Sequence, residues 1–266
     1  MLRGWFRFYR TSVALGLRHI ATKGFTREAV IRVLAPLEDT RLFELPETLA
    51  ALDVKPGERV LDLASPKLAA VSLARAGARV TSVDLFAAEI ETWRDLTGHV
   101  QGLDLQVADG RRLPFEDESF DHAYSISVIE HIGDGGDFEA LAELARVVRP
   151  GGRIVLTVPY DTTYSEDWRD SPLYGDRGLE QDGRWFFSRA YDDARLMQLI
   201  SSTPLLNLVD RHAVRFAMSR LYRFYHRAAP ASLVLSPLLG MTLRVIEEPG
   251  GLILLKLVRR SARPAR

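Results

Sequence analysis

The sequence contains no cysteine in its 266 residues. Disulfide bonds, cysteine-ligated zinc, iron–sulfur clusters and thiol nucleophiles are therefore excluded for this chain. The six histidines are scattered, and none of them stands in the HExxH spacing of a zinc-binding helix.

The chain also lacks a long hydrophobic run. Its longest uncharged stretch, residues 228–243, has 16 residues and contains two prolines, whereas a membrane-spanning helix needs about 20 apolar residues. The apolar run at 12–17 is too short for a secretory signal peptide. We therefore predict no transmembrane helix and a cytoplasmic chain. An organellar transit peptide stays open, because the first acidic residue is Glu28.

The chain carries no net charge, with 35 basic and 35 acidic residues, but the charges are unevenly distributed. Residues 1–32 hold seven basic residues and one acidic residue. Residues 33–209 hold 17 basic and 31 acidic residues, and residues 210–266 hold eleven basic and three acidic residues. The acidic middle argues against a general nucleic-acid binder, so we expect no nucleic-acid partner. The two basic ends are the candidates for contact with an anionic surface.

Residues 1–52 predict an N-terminal helical extension that begins with an amphipathic, basic helix. When successive residues are placed about 100° apart around a helix axis, the apolar side chains form one stripe and the arginines form an adjoining face. The stripe is Leu2, Phe6, Tyr9, Val13, Leu17 and Ile20, and the arginines are Arg3, Arg7, Arg10 and Arg18. Two interpretations stay open. The helix lies on an anionic membrane, which would make the protein peripheral there, or it packs on the protein body with its arginines in water.

Residues 53–266 alternate short strand patterns with helix patterns, which predicts βαβ units. The strand patterns cover 59–63, 80–83, 103–107, 120–125, 153–158, 205–210 and 252–258, and the helix patterns cover 68–76, 87–96, 138–148 and 191–200. Right-handed crossovers between such units give an open sheet with helices on both faces. The predicted fold class is therefore α/β, a doubly wound, mainly parallel, seven-stranded Rossmann-like sheet.

Two segments of this domain depart from the alternation. Residues 160–188 are rich in aromatic side chains and have no clear period, so they predict a lid or binding loop, or else a surface excursion with its own small core. Residues 213–246 predict a helical insertion before the last strand. Its first part, 213–227, reads as a second basic helix that would share the membrane surface with the N-terminal one.

Aspartates close three successive strand patterns, at Asp62, Asp84 and Asp109. The spacing from Asp62 to Asp84 suits a nucleotide site, in which the next strand offers a carboxylate to two ribose hydroxyls. Asp109 is placed to accept a hydrogen bond from an adenine amine. A single strand-terminal aspartate is weak evidence, because it is often only a turn former. Three in series favour a nucleotide-containing ligand.

The motifs around these aspartates resemble those of the class I S-adenosylmethionine-dependent methyltransferases, in the branch with the small-molecule methyltransferase domain. The resemblance runs from about Glu58 to Tyr160, and the matching segments are RVLDL at 59–63, VTSVD at 80–84, ADGRRLPF at 108–115, FDHAYS at 120–125, VIEH at 128–131 and RPGGRIVL at 149–156. It implies S-adenosylmethionine as cofactor. The residues it implies around the cofactor are Asp62, Ala64, Ser65, Lys67, Asp84, Leu85, Asp109, Gly110 and Ser125.

The loop after the first strand departs from the family. The family has a glycine-rich GxGxG loop there, whereas this chain has Ala64-Ser-Pro-Lys67, without a glycine. Glycine lets the backbone approach a ligand closely, and Pro66 removes an N–H donor. Either the cofactor is held in an altered way, with Ser65 and Lys67 touching its methionine carboxylate, or the domain has lost the cofactor.

His131 is the candidate catalytic residue, as a general base near the substrate, although such a histidine can also be a packing residue. Some members of the fold bind a divalent metal with a Glu-x-x-Glu-His run, but Ser127 stands at the first position here, so we predict no metal.

Two functions follow from these observations. The first is methyl transfer to an unidentified small-molecule or lipid-like acceptor. The second is a catalytically degenerate binding or scaffold protein, for which the glycine-free loop is the main support. A nicotinamide-dependent dehydrogenase shares the strand–loop–strand–acid plan, but the glycine fingerprint that it needs is absent.

Overall fold

The computed structural model describes residues 4–34, 36–37, 40–172, 178–217 and 244–261. Its main sheet has the strand order β10-β9-β11-β5-β4-β1-β2-β3. Strands β3, β2, β1, β4 and β5 run parallel, whereas β11 and β9 are antiparallel to their neighbours. The predicted doubly wound, mainly parallel sheet of seven strands is thus confirmed, and the short β10 extends it to eight.

The strands and helices follow the predicted order through the centre of the chain. The main-sheet strands are β1 (Arg59–Leu63), β2 (Arg79–Asp84), β3 (Leu103–Val107), β4 (Phe120–Ile126), β5 (Val148–Tyr160), β9 (Leu206–Ala217), β10 (Arg244–Ile246) and β11 (Gly251–Arg259). The helices are α1 (Trp5–Lys23), α2 (Arg27–Leu34), α3 (Arg41–Leu52), α4 (Leu68–Arg75), α5 (Ala87–Thr97), α6 (Gly136–Val147) and α7 (Asp193–Ser201).

Helices cover both faces of the sheet, and each face has its own core. Helices α6 and α7 pack on one face around Leu61, Leu156 and Ile253. Helices α1, α3, α4 and α5 pack on the other face around Val60 and Tyr124. Alternate residues of a strand point to opposite faces, so neighbours such as Val60 and Leu61 enter different cores.

Helix α1 buries a different face from the one that its apolar stripe predicted. The buried residues are Phe8, Thr11, Ser12, Leu15, Gly16 and His19. The stripe residues Phe6 and Leu17 are each 54% exposed, and Leu2 lies outside the described residues. Close packing on α2 explains why this face is buried, because a Cβ atom on Gly16 would come within 2.6 Å of the Ala29 carbonyl oxygen. Small residues let the two helices approach where a bulky stripe would hold them apart.

Two further predictions need correction. Residues 213–217 belong to strand β9 and residues 244–246 form β10, so the predicted helical insertion 213–246 is wrong at both ends; residues 218–243 lie outside the described part. The antiparallel pairing of Leu252 with Val214 draws the chain into the sheet, and this contact is not visible in local periodicity. Pro46 predicts a break in the N-terminal helical extension, since proline removes a helix hydrogen bond, but α3 continues through it.

The aromatic segment 160–188 contains a second, three-stranded antiparallel sheet. Its strands are β6 (Ser165–Arg169), β7 (Glu180–Gln181) and β8 (Arg184–Ala190), in the order β6-β8-β7. Trp168 packs edge-on against Phe186, with ring centroids 5.4 Å apart.

Among the described helices, none combines the length and hydropathy that a membrane crossing requires.

Candidate functional site

A cavity of about 980 Å³ opens beyond the carboxyl ends of β1 to β4, where open α/β sheets bind their ligands. We call one side the aspartate half; it is lined by residues 64–66, 84–86 and 108–110. We call the other side the histidine half; it is lined by Arg41, Ser127, Val128, His131, Ile132, Gly133, Leu179 and Phe186.

The loop after β1 crosses the aspartate half without a glycine. Ala64 takes a left-handed backbone conformation, with φ of +51°, which a glycine would adopt without strain. The Ser65 amide donates to Asp62 at 3.1 Å, and the Ser65 hydroxyl accepts from the Ile126 amide at 2.9 Å. Side-chain hydrogen bonds therefore hold a turn that a glycine-rich loop forms with its backbone alone.

Lys67 is buried behind this loop and joins the ends of two strands. Its Nζ atom donates to the Ser65 carbonyl at 3.1 Å and to Asp84 Oδ2 at 3.3 Å, and it lies 3.8 Å from Asp62 Oδ2. Burial raises the pKa of the Asp62 carboxyl, while the charge of Lys67 and a hydrogen bond from Ser82 oppose that rise. The ammonium group is engaged inside the protein, so the structure places Lys67 as a link between Asp62 and Asp84 and not as a direct contact for a ligand carboxylate.

Asp84 and Asp109 both face the cavity, as the sequence predicts. The Oδ1 atom of Asp84 accepts from the Phe86 amide at 3.1 Å. Asp109 is held by the Arg111 guanidinium at 2.7 Å, and that contact lowers the pKa of the Asp109 carboxyl. A Cβ atom on Gly110 would stand 2.6 Å from the Leu63 side chain, so glycine allows this loop to lie on the end of β1.

Six of the nine predicted cofactor residues line the cavity: Ala64, Ser65, Asp84, Leu85, Asp109 and Gly110. The other three, Asp62, Lys67 and Ser125, lie behind its wall. Ser125 is buried and donates to the Leu63 carbonyl at 3.3 Å, which fixes β4 against β1. The next two residues, Ile126 and Ser127, line the cavity in its place.

His131 lines the histidine half at the end of a short 3-10 turn, Ile129–His131. Its Nδ1 atom lies 2.7 Å from the Phe187 carbonyl oxygen. A carbonyl only accepts hydrogen bonds, so Nδ1 carries the proton and the neutral ring keeps its lone pair on Nε2. Burial lowers the pKa of the imidazole, and Arg41 and Arg169 lower it further. The ring is therefore a neutral base with a fixed tautomer at neutral pH.

A second acid–base group lies beside the histidine half. Glu44 of α3 is fully buried and accepts from Ser127 at 2.6 Å and from Thr157 at 2.7 Å. Arg41, one turn earlier, donates to Glu44 at 2.5 Å and lines the cavity. Sequence reasoning missed both residues, because nothing local to the α3 sequence distinguishes them from the surface charges of an ordinary helix.

Glu130 lies next to His131 and is almost fully buried. Burial raises the pKa of this carboxyl to about 8, and the nearby charge of Glu44 contributes to the rise. Its Oε1 atom lies 3.7 Å from His131 Nε2, and its Oε2 atom has no hydrogen-bond partner among the described residues. Glu130 is therefore protonated at neutral pH. Within the described ranges, no group of three or more His, Asp or Glu side chains is placed to hold a metal ion.

The aromatic segment 160–188 both forms its own sheet and contributes to the cavity wall. Phe186 and Leu179 line the histidine half, and the carbonyl of Phe187 orients the histidine. The guanidinium of Arg169 stacks 3.3 Å from the centroid of the Phe187 ring. The segment, which the sequence predicts to be a lid or binding loop or else a surface excursion with its own small core, thus supplies part of the cavity wall.

Comparisons with known proteins agree with this geometry. Residues 61–156 match the family described as a methyltransferase domain. A demethylmenaquinone methyltransferase from Mycobacterium sp. (strain KMS) is 40% identical over 116 residues, which are 41% of this chain and 45% of that protein. The chain spans about half, or less, of the length of the curated relatives it matches.

Solved structures share the fold at low identity. The [4+2]-cyclase SpnF superposes with a TM-score of 0.56 at 16% identity, covering 82% of this chain and 81% of that one. A geranyl diphosphate methyltransferase in complex with GPP and sinefungin gives a TM-score of 0.52 at 17% identity, covering 81% and 76%. One of these neighbours is a cyclase and another is a methyltransferase, so the fold alone does not decide the reaction.

Proposed function

We propose that the chain is a class I S-adenosylmethionine-dependent methyltransferase that transfers a methyl group to an apolar small-molecule or lipid-like acceptor, and the match of residues 61–156 to the methyltransferase-domain family supports this assignment. One observation carries the proposal. A single cavity joins the strand-end carboxylates Asp84 and Asp109 to a buried histidine of fixed tautomer. The two halves of this cavity would provide the two functions that a transferase needs, cofactor binding and acceptor activation.

The aspartate half fits S-adenosylmethionine by the chemistry of its donors and acceptors. Asp84 would accept from the ribose hydroxyls, and Asp109 with Gly110 would lie beside the adenine. When bound, the cofactor supplies an activated methyl group on a sulfonium sulfur. Lys67 serves this half indirectly, because its ammonium holds the Asp84 carboxylate at the cavity wall.

The histidine half suits an acceptor that loses a proton as it is methylated. His131 Nε2 would take that proton, and the Phe187 carbonyl would stabilise the imidazolium through the Nδ1–H hydrogen bond. The neutral state of Glu130 avoids a second buried negative charge beside Glu44. Positioning and desolvation supply the remainder of the catalysis, as expected for an in-line displacement.

The apolar lining of the histidine half supports this acceptor class. Val128, Ile132, Leu179 and Phe186 surround His131 with hydrocarbon and aromatic surface. Arg41 and Ser127 are the polar groups that would orient the acceptor. Two of the proteins similar to this chain are named as a demethylmenaquinone methyltransferase and a geranyl diphosphate methyltransferase. These names support an acceptor of this apolar kind.

The second candidate function is a degenerate binding or scaffold protein. The glycine-free loop favours it, since Lys67 occupies one oxygen of Asp84. Against it, neither Pro66 nor Lys67 fills the cavity, because Pro66 lies in the wall and Lys67 behind it.

Calorimetric titration with S-adenosylmethionine and S-adenosylhomocysteine separates the two functions. We expect micromolar binding, about −8 kcal/mol, that weakens by about 100-fold in Asp84→Ala, because two charge-assisted hydrogen bonds are lost. Asp104→Ala, at an exposed acid on the neighbouring strand β3, is the matched control and should bind like the native chain. No heat with the native chain at millimolar ligand would leave the scaffold function as the conclusion.

A further inference from the structure

The outward face of α1 and the α1–α2 turn carry an unusual concentration of exposed apolar side chains. Within the described part of the chain, eight large apolar side chains are exposed, and four of them lie in residues 4–34. These are Phe6 and Leu17 at 54%, Phe25 at 83% and Leu34 at 47%. Phe6 and Leu17 are 11 positions apart, close to three helical turns, so they lie on one side of α1.

Basic side chains surround these apolar groups. Arg7, Arg10, Arg18 and Arg27 are exposed, and none of them takes part in an ion pair among the described residues. No acidic residue occurs between positions 1 and 27 of the sequence. Lys23 is neutralised by Asp95, and Arg32 by Glu28, so the outward positive charge belongs to the four arginines.

The body of the protein already holds α1 by its opposite face. Phe8 and Leu15 are fully buried in the core beneath α1, and Ser12 donates to the Arg32 carbonyl of α2 at 3.1 Å. The helix therefore needs no further partner to fold. Its outer face is presented to the solvent as a preformed surface.

We infer that this surface, defined by Phe6, Leu17, Phe25 and the arginines Arg7, Arg10, Arg18 and Arg27, docks on an anionic lipid bilayer. A basic helix with leucine and phenylalanine on its outer side lies in the plane of a membrane interface, with the apolar groups in the headgroup region and the arginines on lipid phosphates. The charge of this face favours a lipid surface, because none of the four arginines forms an ion pair among the described residues and an anionic partner would complement them. The inference goes beyond methyl transfer and does not depend on it.

Vesicle co-sedimentation of the full chain tests the inference. We expect binding to phosphatidylcholine vesicles that contain phosphatidylglycerol, and none to phosphatidylcholine alone. Arg7→Glu/Arg10→Glu/Arg18→Glu should lose about ten-fold or more in affinity. Phe6→Ser/Leu17→Ser should lose several-fold, with the loss persisting at high salt, where charge is screened.

A matched control changes the same net charge elsewhere. Arg79→Glu/Arg112→Glu/Arg260→Glu replaces three exposed arginines outside residues 4–34 and should bind vesicles like the native chain. Thermal melts and S-adenosylhomocysteine titrations on the same preparations show that each variant is folded and that cofactor binding is a separate property.

Four outcomes would overturn the inference. They are absence of native binding to anionic vesicles, equal losses in the matched control, full retention of binding in the Phe6→Ser/Leu17→Ser variant, or a dimer in sedimentation velocity that this variant dissolves. The last outcome would assign the face to a second copy of the chain.

Discussion

The two halves of the cavity differ in how they are built. The aspartate half is assembled from consecutive strand ends, and its acids are held by basic residues: Asp109 by Arg111, two positions away, and Asp84 by Lys67, 17 positions away. The histidine half is assembled from distant segments, with α3, the turn after β4 and the aromatic segment 160–188 meeting at one place. The comparison shows that the candidate cofactor half follows mainly from successive strand ends, whereas the candidate acceptor half depends on packing between segments that are distant in the sequence.

The strongest test of this comparison removes the base from the histidine half. We expect His131→Asn to lower the rate of methyl transfer by about 10²–10⁴-fold, the usual contribution of a general base. S-adenosylhomocysteine affinity should stay unchanged, because the aspartate half is intact. Single-turnover rates and calorimetry measure the two quantities separately.

The pH dependence of the methyl-transfer rate tests the same role of His131 as a base. The pKa of His131 is lowered, so its neutral form persists below the usual histidine range. The midpoint of the acid limb in the pH profile of the methyl-transfer rate should therefore lie below about pH 6.5. An acid limb above that value, or a His131→Asn variant with native rate, would remove His131 from the mechanism.

The next test breaks the link between the strand ends of the aspartate half. Lys67→Met should lower the free energy of unfolding by about 3–5 kcal/mol, because Asp62 is left as a buried charge without its partner. Denaturant unfolding measures this loss. Adding Asp62→Asn should recover stability but not S-adenosylhomocysteine affinity, since Asp84 remains without its anchor.

A native-like free energy of unfolding for Lys67→Met would contradict the role of Lys67 as a link between Asp62 and Asp84. So would full cofactor affinity in the double variant, because Lys67 would then have no part in holding Asp84.

The smallest effect concerns the buried carboxyl beside His131. The folded pKa of Glu130 is about 8, above its ordinary value of 4.5, so the folded state holds a proton that the unfolded state releases between these two pH values. Its stabilising contribution is complete below pH 4.5 and is lost as the pH rises to 8. Between about pH 6 and pH 7.5 the free energy of unfolding should fall by about 2 kcal/mol more in the native chain than in Glu130→Gln.

Chemical denaturation at the two pH values measures this difference. Parallel pH dependence in the two proteins would mean that Glu130 is ionised in the folded state, and the neutral-acid description of the histidine half would be wrong.

Much of the fold was predictable from the sequence because its patterns are local. The strands β1 and β3 have the predicted bounds, and the sheet is mainly parallel as predicted. The failures come where a distant contact decides the structure. Residues 213–217 have a helical period but continue β9, where 213–214 pair with β11 and 215–217 pair with β10. Phe6 and Leu17 of the apolar stripe of α1 face outward because α2 packs on small residues of another face.

The sequence by itself determined the doubly wound sheet and the positions of Asp84 and Asp109, since strand alternation and turn chemistry depend on neighbouring residues. Only the tertiary structure decided that Lys67 turns inward to Asp84, that Glu44 reaches Ser127 and Thr157, and that Phe187 fixes the tautomer of His131. Each of these contacts joins residues 17 to 113 positions apart in the chain. Side-chain direction in a packed interior depends on such partners, which no local pattern specifies.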